Sequence, residues 1–342
     1  MAQGFTRFRK IQVGIQTVIG TAVPAVRVLP YRSLMVYNPN RTDPDVDVGS
    51  LDPVLSPYMV APTVEMSGAA GPLAFNDLPH RLSAAIKGGV SPTGSAGAGY
   101  TWTFQAASLT ADAFEYWTVQ TGDDTSDSAG AGTNAFGAVI NSFSQSMDEG
   151  LGPWTVSDDW IAAGAVYGNR TGGLTVDSNP KWMFGADTSF YLNSVAAAIG
   201  ATTIAGAVRG ATLTVNNNLD QKRFADGSNT RFALQGYGRG AREITLELVL
   251  EKTTQTIAEM VTLDDTPTPN RYIKISTNST ELAGTVTTCY VEFYLPMRLY
   301  EASDGEIENN ANVTLTYKGF YDPTLTYSFK AIVLNSQANL TT

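Results

Sequence analysis

Arg242-Glu243-Ile244-Thr245-Leu246-Glu247-Leu248-Val249-Leu250-Glu251-Lys252 alternates at a period of two. In an extended strand successive side chains point to opposite faces. Ile244, Leu246, Leu248 and Leu250 therefore share one face, and Glu243, Thr245, Glu247 and Glu251 the other. A helix would scatter both sets around its circumference. The alternation recurs in Ala211-Thr212-Leu213-Thr214-Val215, in Cys289-Tyr290-Val291-Glu292-Phe293-Tyr294-Leu295 and in Val313-Thr314-Leu315-Thr316-Tyr317. Clusters of Gly, Pro, Asn and Asp separate these runs, as turns require. The chain reads as mainly β, built from half-buried strands.

Two stretches read as helices. Asn76 or Asp77 caps the first, Pro79 fits its first turn, Leu82, Ala85 and Ile86 share a face, and Gly88-Gly89 stops it. Thr253 or Thr254 caps the second, Ile257, Met260 and Val261 share a face, and Asp264-Asp265-Thr266-Pro267 ends it. Asn193 to Ile199 is a weaker third candidate.

The order of elements repeats. Strands expected at Ser33–Tyr37 and Thr212–Asn216 are each followed by a long turn-rich loop, 38–60 and 217–240, then by a strand, 63–75 or 242–252, and then by a helix. Further expected pairs are Tyr100–Phe104 with Arg271–Ile275, Phe114–Gln120 with Tyr290–Leu295, Val139–Met147 with Val313–Tyr317, and Trp154–Ala162 with Leu325–Leu334. All lie roughly 170–180 residues apart, the signature of an internal repeat. The expected domains are 1–172 and 173–342, with the linker in Gly168–Lys181. Each is a small β-sandwich or barrel with one short helix.

The composition suits a chain that spends its life against other subunits. Charged residues make up 16% of the 342, below the roughly 25% of soluble domains. The net charge of −10 gives no counterion-release drive toward phosphate backbones. No apolar run reaches the length of about 20 residues needed to cross a bilayer, and the N-terminus lacks the pattern of a secretory leader. Folding in a cytoplasm is the expectation. The single cysteine, Cys289, precludes an intrachain disulfide.

A search for chemistry finds none. His80 is the only histidine and has no nucleophile motif near it, and one His with one Cys cannot make a zinc site. Asp43-Pro44-Asp45-Val46-Asp47 lacks the Gly and Glu of a calcium loop, since Val48 and Val54 occupy those positions. Gly236-Tyr237-Gly238-Arg239-Gly240 precedes a strand, not the helix a phosphate cradle needs. Asp123-Asp124, Asp158-Asp159 and Asp264-Asp265 sit in apparent turns, where Asp is favoured for local hydrogen bonds. Trp102, Trp117, Trp154, Trp160 and Trp182 are spread along the chain like core anchors. No catalytic, metal or cofactor-binding residue is assigned, and the chain is expected not to be an enzyme.

The chain resembles the major tail tube proteins of long-tailed (siphovirus-type) bacteriophages, in their larger form with two fused tail-tube domains. The resemblance rests on Gly14-Ile15-Gln16-Thr17-Val18-Ile19-Gly20-Thr21-Ala22-Val23, the strand-then-helix stretch Val64–Lys87, Thr212-Leu213-Thr214-Val215-Asn216-Asn217-Asn218 and Gly240–Leu248. It covers nearly the whole chain through element order, with individually weak motifs. It implies self-assembly into rings whose inner strands join one ring-wide β-barrel, stacked into a hollow tube through which DNA passes without specific binding. A duplicated chain implies a pseudo-hexameric homotrimer ring in preference to a hexamer of chains. The resemblance further implies partners in the tape-measure, tail terminator and tail tip proteins, assembly in the host cytoplasm and a place in the virion, with no membrane and no cofactor. The lumen-facing candidates are Thr63, Glu65, Ser67, Thr212, Thr214, Asn216, Glu243, Thr245, Glu247 and Glu251. Those for ring stacking are Asp43, Asp45, Asp47 and Asp52 in a proline-stiffened first loop, and Lys222, Arg223, Arg231 and Arg239 in a flexible, basic second loop. Another tail, baseplate or surface-adhesion β-protein is the alternative reading. A glycan-acting enzyme with two carboxylates has no support in residue spacing.

Overall fold

The computed structural model describes residues 9–16, 19–31, 35–42, 58–59, 62–106, 113–123, 132–148, 152–204, 207–223, 236–266, 268–307 and 310–341. The first half carries β1 (Lys10–Gln16), β2 (Arg27–Leu29), β3 (Val36–Asn38), β4 (Arg41–Thr42), β5 (Tyr58–Met59), β6 (Thr63–Pro72), α1 (Leu78–Ala85), β7 (Thr93–Ser95), β8 (Gly99–Gln105), β9 (Tyr116–Gly122), β10 (Gly132–Asp148), β11 (Thr155–Ile161) and β12 (Gly164–Gly168). The second carries β13 (Thr188–Asn193), β14 (Val208–Asn216), β15 (Leu219–Lys222), β16 (Gly236–Arg239), β17 (Glu243–Glu251), α2 (Thr254–Asp265), β18 (Asn270–Leu282), β19 (Thr288–Ile307), β20 (Asn310–Gly319) and β21 (Lys330–Asn335).

One antiparallel run crosses both halves in the order β3–β6–β11–β10–β14–β17–β20–β19. A second set of pairs backs it: β2–β1–β9–β10–β12 behind the first half, and β13–β18–β19–β21–β8–β7 behind the second. β10, with 17 residues, and β19, with 20, belong to both sets. Each changes partners near a bulge, at Asn141 and Tyr300, where an extra residue bends the strand. Among the described residues the strand pairs branch without returning on themselves, so the sheet has open ends there.

Burial follows the period-two pattern. On β17, Ile244, Leu246, Leu248 and Leu250 are buried, while Glu243 and Glu247 are exposed. Apolar faces from both sets of strands meet in one core cluster that draws on both halves. Phe143 of β10 and Phe293 of β19 both pack on Phe329. Trp102, Trp117, Trp154 and Trp160 are fully buried, and Trp182 is half-buried. Both expected helices are present. Asp77 is the N-cap residue of α1 but its carboxylate accepts from Arg27 instead of capping the helix, and Thr253 caps α2 in a reciprocal box with Thr256. Every residue of α1 is buried, but α2 buries only Thr256.

The same pairing order occurs twice. β1, β3, β6, α1, β9, β10, β11 and β12 hold the places in the first half that β13, β14, β17, α2, β18, β19, β20 and β21 hold in the second. Asn40 and Asn218, 178 positions apart, both have positive φ, 43° and 47°. In each case the backbone N–H donates to the side chain of the Asn two residues earlier. The bulges at Asn141 and Tyr300 also correspond.

Several element matches read from the sequence do not hold. Arg271–Ile275 corresponds to β9, not to Tyr100–Phe104. β19 corresponds to β10, β20 to β11, and β21 to β12. The cause is the β7–β8 hairpin, which follows α1 and has no equivalent between α2 and β18. It shortens the spacing of all later counterparts to roughly 155–166 residues. β8 instead crosses to the second half and pairs with β21, Phe104 opposite Ala331 and Trp102 opposite Val333.

Asn193–Ile199 is not a helix. A single 3₁₀ turn, Ala196–Ala198, is stopped by Gly200 at φ 87°. The chain then returns beside β13, where Ile204 N–H donates to Phe190 O. β3 begins at Val36, and Ser33 lies outside the described residues. Asp158-Asp159 is not a turn but the middle of β11, and Asp264-Asp265 closes α2.

Candidate functional site: a polar sheet face with two open ends

Cross-strand neighbours share a face, so the register assembles the site. On β14 and β17, Asn216 lies opposite Glu243, Thr214 opposite Thr245 and Thr212 opposite Glu247, with Glu251 further along. Thr63, Glu65 and Ser67 are exposed on β6. The expected set thus lies on one face of the long run, toward solvent.

Two strands that the sequence reading expected but did not assign to this face separate β6 from β14. β11 supplies Thr155, Ser157 and Asp159, and β10 supplies Ser142, Ser144 and Ser146. Ser144 and Thr214 hydroxyls meet at 3.0 Å, and Ser146 and Thr155 at 2.9 Å. Beyond β17 the face continues through Asn312, Thr314 and Thr316 of β20 to Glu301 and Ser303 of β19. The signal was present in Ser142-Phe143-Ser144-Gln145-Ser146-Met147, which alternates like β17. The face carries hydroxyls and carboxylates almost throughout. Lys318 and Arg298 form a cationic pair at one end, stacked on Tyr300 and Phe320. Arg209, at a bulge of β14, lies 3.5 Å from Glu251.

The run ends in two strand edges. Among the described residues, β3 pairs only with β6, and β19 from Tyr300 to Ile307 pairs only with β20. Apolar side chains are exposed at both ends. Val36 is 59% exposed and Tyr167 67% at the first. At the other, Tyr300 is 54%, Val261 51% and Ile257 45% exposed. Unpaired edges with exposed apolar residues are templates for another chain.

Each long loop begins and ends as a two-stranded ribbon, β4–β5 and β15–β16. Asp43, Asp45, Asp47, Asp52 and Arg231 lie outside the described residues. Lys222 is exposed at the end of β15. Arg223 and Arg239 make contacts within the chain. Arg223 donates to Gln221 Oε1 at 2.8 Å and to Pro62 O at 3.2 Å, and Arg239 stacks 3.6 Å above the Phe114 ring. Tyr237 donates to Gly137 O at 2.5 Å, and Gln221 to Ala162 O at 2.9 Å. The base of the second ribbon is therefore pinned to the first half. A planar guanidinium finds more in a ring face and a carbonyl than in water alone.

Beneath the polar face lies a buried ionic cluster. Asp158 accepts from Tyr31 Oη at 2.6 Å, from Arg81 Nε at 2.8 Å and from a second Arg81 nitrogen. Burial raises the Asp158 carboxyl above its usual range, against the pull of Arg81. His80 is buried beside Trp117 and Gln337, and burial holds its imidazole well below the usual value. Cys289 is buried. Tyr31, Arg81 and Asp158 tie β11, α1 and the segment after β2 together. A groove of about 850 Å³ at one end of the polar face is lined by Ser146, Asp148, Thr155, Arg209, Thr212 and Ile307 among others, with neither histidine nor cysteine. Among the described residues no group of three His, Cys, Asp or Glu could hold a metal ion, and no helix is long and apolar enough to cross a membrane. No family model and no curated protein matches the chain.

Proposed function

We propose that this chain is a structural subunit of the tail-tube type, a duplicated domain that joins head to tail with copies of itself into rings and stacks them into a hollow tube. The observation that carries the reading is the eight-stranded run β3–β6–β11–β10–β14–β17–β20–β19: polar and carboxylate-bearing on one face, apolar on the other, open at both ends. Within the chain, β10 of the first half already pairs with β14 of the second. β19 and β3 are the counterparts of β10 and β14, so β19 of one copy pairing with β3 of the next would repeat the internal junction.

Three copies would then make a ring of six repeats with the polar face turned inward. Glu65, Asp159, Glu243, Glu247 and Glu301 would line the bore, and like charge there would repel phosphate and keep DNA mobile. The two ribbons leave the sheet between β3 and β6 and between β14 and β17, which suits them to contacts between stacked rings.

Negative-stain electron microscopy of concentrated protein tests this, with mass measured by light scattering. Hollow tubes with a constant axial repeat are expected. Rings that never stack would favour a different tail component. A chain that stays monomeric at every concentration would refute the reading.

A further inference from the structure

The junction inside the chain is a template for the one between copies, and its chemistry does not carry over. At the internal junction Asn141, the extra residue of the β10 bulge, accepts Asn217 N–H at its carbonyl, 2.8 Å, and Leu219 N–H at its side-chain oxygen, 2.8 Å. Asn217 is buried, and its side chain donates to Ala85 O in the last turn of α1 at 2.8 Å and to Ile140 O at 3.2 Å. This is a polar latch closed by asparagines.

The counterparts at the open end follow from the doubled pairing. Tyr300 stands for Asn141, since each is the extra residue of its bulge. Pro39 stands for Asn217, since each directly precedes a left-handed Asn, Asn40 or Asn218. The N-cap positions Asp77 and Thr253 are 176 apart, so Val261 stands for Ala85. Neither donor of Asn217 survives, and the N–H of Arg41, which stands for that of Leu219, meets no side-chain amide oxygen on Tyr300. Pro39 has neither an N–H nor a side-chain amide. In place of the buried polar cluster are a proline, an aromatic ring and an aliphatic side chain, the last two about half exposed. Ile257, one turn before Val261, extends the apolar strip along α2.

We infer that the occupant of this notch is a second copy of this chain, whose Asn38-Pro39-Asn40 turn seats against Tyr300 and Val261 where Asn217 sits inside the chain. The inference rests on the head-to-tail reading and adds to it a seat and a register. With the spacings carried across, Glu301 faces Asn38 and Ser303 faces Val36, as Ser142 faces Asn216 and Ser144 faces Thr214. Proline arrives with its backbone already fixed, which lowers the ordering cost of docking. The difference between the two junctions also gives specificity. The Pro39 turn in the internal position would leave the Asn141 and Ala85 carbonyls without the donors that Asn217 supplies, which favours the outer junction between copies.

Two cross-links and two substitutions test this. Val36→Cys with Ser303→Cys in one chain should give a ladder of disulfide-linked copies. Mixing Pro39→Cys copies with Val261→Cys copies should give a linked pair. Val261→Asp, at an exposed helix position, should raise the protein concentration needed for assembly at least tenfold with an unchanged melting temperature. Val261→Ser should show a smaller shift in the same direction if the aspartate disturbs α2. A ladder through residues 36 and 303, without the 39–261 pair and with normal assembly of both Val261 variants, would overturn the seat and leave head-to-tail joining intact. Failure of the ladder in a chain that never exceeds one copy would overturn both.

Discussion

Asp158→Ala is expected to remove about 4–6 kcal/mol of folding stability. The side chain sits fully buried in β11, on the same face as Val156 and Trp160. Among the described residues it is the only hydrogen-bond partner of two nitrogens of Arg81, itself 1% exposed, and it accepts the Tyr31 hydroxyl. Truncation leaves a guanidinium charge buried and unpaired, which costs about 3–5 kcal/mol. The Tyr31 hydroxyl loses its acceptor, for about 1–3 kcal/mol more, and the two terms overlap because the cavity relaxes around both. The loss is large against the total stability of about 5–15 kcal/mol typical of folded chains. The ion pair itself is a different quantity. Replacing the whole cluster, Tyr31→Phe with Arg81→Met and Asp158→Leu, should return the chain to within about 2 kcal/mol of wild type, because the desolvation penalty disappears with the charges. Urea unfolding followed by fluorescence of the buried tryptophans and by circular dichroism measures both. A loss below about 1 kcal/mol in Asp158→Ala, or a triple variant as weak as the single one, would refute the reasoning.

Protonation of His80 should destabilise the fold. Its imidazole is held below the ordinary value mainly by burial, with a contribution from Arg27, so the unfolded chain takes up the proton first. Stability is then full above about pH 6.5 and falls on acidification by up to about 1.4 kcal/mol per pH unit. Urea midpoints between pH 7.5 and 5 should fall less steeply in His80→Gln, and parallel slopes would count against the assignment. Gly137→Ala should cost about 2–4 kcal/mol, because φ is 63° and a Cβ would meet Ala163 Cβ at 2.7 Å and Ile19 at 2.9 Å. Gly173→Ala, at φ 80° with nothing within 4 Å, should cost only about 1 kcal/mol, and equal losses at both sites would show that packing at Gly137 is irrelevant. Glu243→Lys with Glu247→Lys should leave folding within about 0.5 kcal/mol yet make assembled protein bind duplex DNA in a salt-dependent way. Assemblies that still ignore DNA would argue against this face lining a DNA channel.

The parts legible in the sequence were the local ones. Strand faces follow from alternation, so the burial of Leu246 and the exposure of Glu247 could be read from neighbours two positions away. Both helices announced themselves through Asp77, Pro79 and the Thr253 cap. Long-range matters were hidden. Nothing in Tyr100-Thr101-Trp102-Thr103-Phe104 says that it adds to a strand more than two hundred residues later, because backbone pairing is common to all strands and leaves no residue signature. Asp158 was misread because an Asp-Asp pair suggests a turn. Yet Val156, Asp158 and Trp160 alternate with Ser157 and Asp159, and period two alone places Asp158 on the buried face. Its partner, Arg81, could not be guessed, since a lone arginine on a short amphipathic helix usually turns to solvent.

The edges the chain covers for itself help to explain those it leaves open. β21 is backed by β8, borrowed from the first half. Its counterpart β12 has no such cover among the described residues and exposes Val166 and Tyr167, the latter edge-to-face with Tyr37 of β3. The borrowed hairpin follows α1, and none lies between α2 and β18, so the second half has no equivalent hairpin to lend to the next copy. The open surfaces are therefore unlike each other: β3 with β12 at one end, the Tyr300–Ile307 edge with α2 at the other. Unlike surfaces that fit each other make a heterologous contact, and such contacts close into rings or wind into filaments according to the rotation they impose. The β10–β14 junction already fixes one such rotation inside every chain. If the outer junction keeps its register, each added copy turns by twice the internal step, and the number of repeats in a closed ring must be even. Six repeats from three copies satisfy that condition. The exchange of Asn217 for Pro39 favours pairing the outer edge with another copy over opening the internal junction.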